Sequence, residues 1–133
     1  MQYTRTGDIP QALHQGASSI DPTPFLGTWV NSNADTTGIH RFTLERRDDV
    51  VTIHAFGLNA PFDWGEAEVT LFAGSVDSSK MVAFNAYYDF GFMETYLGCN
   101  SNEGLIIIAA YNRFKDGSGR SNYICREFYY RES

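Results

Sequence analysis

The segment from His54 to Glu66 carries a histidine, an indole (Trp64) and two carboxylates, Asp63 and Glu66, around one strand–loop–strand connection. Histidine titrates near neutrality, and a neighbouring carboxylate can orient it. That set suits abstraction and return of a proton, as in an isomerisation, elimination or cyclisation. The same residues also fit a hairpin with a polar solvent face and Trp64 packed at its rim. His40 alternates with Phe42 and Leu44 and is expected to share their inward face, as a general base, a ligand for haem or a metal, or a hydrogen-bonded core residue. Tyr87 completes the candidate acid–base groups, which are His40, His54, Asp63 and Tyr87.

A second group of residues can hold a ligand rather than transform it. Asn85, Tyr87 and Tyr111 bring an amide and two phenols to the central strands, where an inward-facing pair would anchor a polar group. Phe42 and Trp64 supply apolar contact. His14, His40 and His54 have no regular spacing, so no metal site is expected. Cys99 and Cys125 lack a CxxC pattern and are expected as two reduced thiols. Asp116-Gly117-Ser118-Gly119 lacks the Lys-Ser/Thr ending of a phosphate loop and reads as a hairpin turn. No cofactor is expected.

Composition narrows the partners. A net charge of −6 and the absence of a Lys/Arg-rich tract argue against nucleic acid. The longest apolar run, Leu105 to Ala110, falls far short of the ~18 residues a spanning helix needs, and no membrane partner is expected. Met1–Arg5 lack the basic and apolar regions of a signal peptide, which predicts a cytoplasmic location. An aromatic fraction of 15% is high, and aromatics suit both pleated sheets and apolar pockets.

The elements that must position these groups are strands. Residues 1–23 are polar, with a short helical turn expected at Gln11–His14, and read as an N-terminal arm; residues 24–133 form the second unit. Asp21-Pro22-Thr23-Pro24 is a stiff entry that disfavours a helix. Beyond it, turn residues divide β-rich runs at 26–32, 39–47, 50–58, 62–74, 79–88, 91–98, 104–113 and 121–131. Ala67, Val69 and Leu71 are expected inward, against Glu66, Glu68 and Thr70 outward. The run 50–58 is ambiguous, and Leu105–Ile108 is apolar on both faces. No segment keeps a 3.6-residue apolar period over ten residues. Eight consecutive antiparallel strands are best relieved of exposed edges by closing into a barrel. A wall apolar on both sides predicts something packed outside it, the arm or a second copy in a homodimer.

Gly27-Thr28-Trp29 at the first strand, with Arg126-Glu127-Phe128-Tyr129-Tyr130-Arg131 at the last, resembles the pattern of the calycins, which comprise the lipocalins, fatty-acid-binding proteins and avidin group. The resemblance covers about residues 24–131. It implies an all-β, antiparallel eight-stranded up-and-down barrel. It also implies structural roles for Gly27 and Trp29: the Trp plugs the closed end, with an Arg, either Arg126 or Arg131, packed across it. Arg126 is the other ligand-gripping candidate by likeness to the Arg-x-Tyr pair of fatty-acid-binding proteins, although Phe128 stands in the Tyr position. The function expected first is the binding of a small, largely apolar, cyclic or aromatic molecule inside the barrel. The second is a cofactor-independent isomerase, cyclase or lyase of the allene-oxide-cyclase kind. The third, by likeness to nitrobindin-type calycins, is haem binding through His40 or His54.

Overall fold

Period-two burial sets the faces of the strands. Along β2 (Ile39–Arg47), Phe42 and Leu44 are buried, and along β3 (Val50–Gly57) so are Val51, Ile53 and Ala55. The ambiguous third strand therefore turns its aliphatic set inward and leaves His54 and Phe56 outside, where their rings stack at 4.5 Å. The computed structural model describes residues 20–132, so most of the expected arm, including Gln11–His14, lies outside the described residues. The remaining strands are β1 (Gly27–Asn31), β4 (Asp63–Glu68), β5 (Thr70–Ala73), β6 (Met81–Asp89), β7 (Met93–Asn102), β8 (Leu105–Phe114) and β9 (Tyr123–Arg131).

All pairings between these strands are antiparallel, in the order β4-β3-β2-β1-β9-β8-β7-β6-β5. The first and last members of that order are joined through a single residue, Val69, so the sheet curls into a nearly closed barrel with β4 beside β6. Nine strands are present where eight were expected, because 62–74 is not one strand. Its first part pairs with β3 and its second with β6. At the break, the Val69 N–H still donates to Val51 O at 2.9 Å. Ala67, Val69 and Leu71 are the less exposed set, as their alternation predicts, and Glu66, Glu68 and Thr70 are exposed.

A second correction concerns Asn100–Asn102, which lie in the expected turn between the runs 91–98 and 104–113. These residues extend β7, with Asn102 opposite Leu105, and the reversal is made by Glu103 and Gly104 at φ 51° and 84°. Two consecutive positive-φ residues match the right-handed twist of a tight hairpin.

One end of the barrel is shut. A 3-10 turn, Thr23–Phe25, carries Phe25 into the core, and Trp29 Nε1 donates to Phe25 O at 2.9 Å. Phe42 packs against Trp29, Phe84 and Tyr129 at centroid distances of 6.5, 6.3 and 5.2 Å. Arg131 is the arginine across the indole, its guanidinium carbon 4.4 Å from the ring centroid. Its Nη1 donates to Leu26 O at 2.5 Å, and its Nη2 donates to Pro24 O. Gly27 makes this possible. It sits at φ +117°, and a Cβ there would lie 2.8 Å from Arg131 Nη1. Gly27→Ala is therefore expected to cost roughly 1–3 kcal/mol, from backbone strain and displacement of the guanidinium. A chemical-denaturation midpoint measures the loss.

Candidate functional site

With Arg131 and Trp29 on one side of the wall, the parity of β9 is fixed. Tyr129, Glu127, Cys125 and Tyr123 follow Arg131 inward, and Arg126 faces out, 5.7 Å from the ring of Phe128. The aromatic core of Phe42, Phe84 and Tyr129 fills the closed half. Towards the other end, a cavity of about 70 Å³ remains. Its apolar wall includes Ile39, Met93, Ile108 and Ala110; Trp64 and Tyr123 bring aromatic rings. Trp64 is held edge-on to Tyr88 and Phe90, at 5.5 and 5.0 Å.

Asn112 and Glu127 line this cavity and are held in fixed orientations. Thr95, fully buried on β7, donates its hydroxyl to Asn112 Oδ1 at 2.7 Å. Glu127 accepts from Thr36 Oγ1 at 2.6 Å and from Asn33 Nδ2 at 3.2 Å, which ties the β1–β2 loop to β9. The Cys125 thiol donates to the same carboxylate at 3.5 Å. Burial works to raise the Glu127 pKa, but the bonds from Thr36 and Asn33, with help from Asn31 and Cys125, outweigh it and hold the carboxyl below its usual range. Burial and the nearby Glu127 charge push the Cys125 thiol up, so it stays protonated at neutral pH. Burial likewise raises Cys99. Both cysteines are free thiols.

The residues singled out from sequence fall into three places. Trp64 alone lines the cavity, and Phe42 lies in the closed-half core. His40 is the extra residue of a β-bulge between Ile39 and Arg41, so the simple alternation with Phe42 is interrupted there, and its Nδ1 is buried without a partner. His54 and Asp63 do meet, Nε2 to Oδ1 at 2.6 Å, but on the outside of the wall. That bond and the Gly65 N–H lower the Asp63 pKa. Among the described residues no group of His, Cys, Asp and Glu side chains is placed to hold a metal ion.

Asn85, Tyr87 and Tyr111 are brought together too, around a shallow outer groove over Gly98. Tyr87, Tyr96, Tyr111 and Ile124 form one cross-strand row. Beside it, Glu94 accepts from Tyr87 at 2.8 Å, Tyr96 at 3.3 Å and Arg113 at 3.1 Å. The Glu94 bond is the main reason the Tyr87 phenol is pushed up to about 12. Tyr87 is thus a donor to Glu94 at neutral pH rather than a base.

These carboxylates give the fold a definite acid limit. Hydrogen bonds lower Asp63 (from His54), Asp89 (from Lys115), Glu94 (from Tyr87) and Asp116 (from Ser118), the last to about 2. A depressed folded pKa adds stability that is complete above the unfolded value, about 4 for carboxylates, and lost as pH falls through the folded one. The denaturation midpoint is expected to hold steady from about pH 7 to 5 and to fall progressively below about pH 4. A pH series of urea titrations checks the sign.

No protein-family model matches the chain, and no curated protein or solved structure matches it either. Among the described residues, no helix is long and apolar enough to cross a membrane.

Proposed function

We propose that the protein binds a small, largely apolar, cyclic or aromatic molecule at the open end of a lipocalin-like barrel. The observation that carries this is enclosure: aromatic packing fills the core around Phe42, the space of about 240 Å³ beside Trp29 and Arg131 is an open groove, and a more enclosed, mostly apolar cavity with Asn112 and Glu127 lies at the other end. Ligand pockets typically combine apolar walls with a few fixed polar groups. The size of the space limits the ligand. An apolar cavity of about 150 Å³ takes benzene, and this one is about 70 Å³. Only the narrower part of a molecule enters, and its ring sits at the rim near Trp64 and Tyr123. Burial at about 25 cal/mol per Å² supplies the affinity.

An isomerase, cyclase or lyase in the same cavity gains no support from His54, Asp63 or Tyr87, whose hydrogen bonds lie on the outer wall. A porphyrin is far larger than the cavity, and neither His40 nor His54 is part of the lining.

The two tryptophans lie at opposite ends and provide the test. With 2-phenylethanol as probe, the emission of Trp29→Phe, in which only Trp64 reports, is expected to change on titration. That of Trp64→Phe is expected to stay constant. A response from Trp64→Phe alone, or from neither variant, overturns the proposal.

A further inference from the structure

Glu127 is unusual among the charged groups of this barrel. It lies on the inward parity of β9 and lines the cavity, whereas Glu45, Asp63, Glu66, Asp89, Glu94, Asp116 and Glu132 each have a basic partner within 4.0 Å. Among the described residues, no Lys, Arg or His forms an ion pair with Glu127, and the cavity lining contains none. Its contacts are neutral donors: Thr36, Asn33, the Cys125 thiol and Asn31.

Neutral donors keep Glu127 ionised without cancelling its charge, so a full negative charge stands in the cavity wall, where a cation is the complementary ligand. Thr36 and Cys125 donate to Oε1 and Asn33 to Oε2, which orients the group and leaves Oε2 the less saturated oxygen of a carboxylate that offers about four lone-pair sites. Trp64 and Tyr123 in the same lining add π systems, which also favour a cation. The chain's net charge of −6 works in the same direction.

Resting on the mouth-cavity reading above, we infer that the ligand is an amine: its ammonium group enters the cavity to pair with Glu127, and its apolar ring remains at the rim by Trp64 and Tyr123. A cavity of about 70 Å³ accommodates an ammonium head and a short alkyl stem but not the ring. Carboxylate ligands are excluded by charge, which reverses the anion-gripping role expected of Arg126. That arginine stands outside the wall.

Three probes of similar shape decide the matter by calorimetry at low salt: 2-phenylethylammonium, 2-phenylethanol and phenylacetate. A charge-assisted hydrogen bond is about twice as strong as a neutral one. The ammonium probe is therefore expected to bind at least about tenfold more tightly than the alcohol, with phenylacetate weakest. Glu127→Gln is expected to bring the ammonium and alcohol affinities together. Equal or tighter binding of the alcohol to the native protein overturns the amine assignment and leaves the cavity reading standing. So does an ammonium preference that survives in Glu127→Gln. If none of the three binds, the cavity reading itself fails. The native protein alone separates these outcomes should Glu127→Gln not fold.

Discussion

Trp29→Ala is expected to lose about 3–5 kcal/mol of stability, the range for removing a large aromatic from a packed core. The indole is 4% exposed and has three separate partners: Phe42 stacked on it, the Phe25 carbonyl accepting from Nε1, and the Arg131 guanidinium across its face. Removing it strips the 3-10 turn of its anchor and leaves a void no neighbour can fill without moving strands. Since a domain has only 5–15 kcal/mol in total, this one substitution threatens folding. Arg131→Ala should cost less, because an exposed cation–π contact is worth roughly 0.5–1 kcal/mol. Urea unfolding of the two variants gives the order directly. A Trp29→Ala loss below that of Arg131→Ala would mean that the indole does not close the barrel.

Ala110→Leu is expected to leave stability almost unchanged while disabling the site. Ala110 is a partly buried wall residue of the open-end cavity. Leucine adds three carbons that project into that space. Each newly buried carbon is worth about 0.8 kcal/mol, offset by whatever overpacking it causes, typically 1–3 kcal/mol. Stability should therefore change little. Binding of any molecule that needs the cavity should fall by more than about tenfold, the equivalent of losing roughly two buried methylene contacts. A variant that keeps both its melting temperature and its affinity for 2-phenylethylammonium would place the ligand elsewhere.

Much of this arrangement was legible in the chain. Turn residues bracket 39–47 where β2 runs from Ile39 to Arg47, and the alternation of Glu66, Glu68 and Thr70 with apolar neighbours placed the outward face correctly. Features lacking a local residue signal were not legible. The break at Val69 arises from closure, where one strand changes partner from β3 to β6 in mid-alternation. The bulge at His40 interrupts the face pattern without any glycine or proline to announce it. Glu127, Asn112 and Met93 escaped notice because an inward glutamate and asparagine look like solvent residues until parity is known. One signal could have found Glu127. Placing Arg131 rather than Arg126 across Trp29 puts every odd residue of β9 inside. The chain groups His54 with Asp63 and Glu66 around one connection without naming a pair, and which side of the wall they occupy depends on the third strand, whose two faces compete in hydrophobicity.

The central claim is that a small molecule enters the barrel at the end away from Trp29. Met93 lines the cavity at that end, and Met81 lies near Trp29 and Phe25. The most direct measurement is a methyl NMR spectrum of methionine-labelled protein during titration with 2-phenylethylammonium. A saturable shift of the Met93 methyl is expected, with the Met81 methyl unchanged. A shift at Met81 alone, or saturable binding that leaves Met93 unmoved, would contradict it.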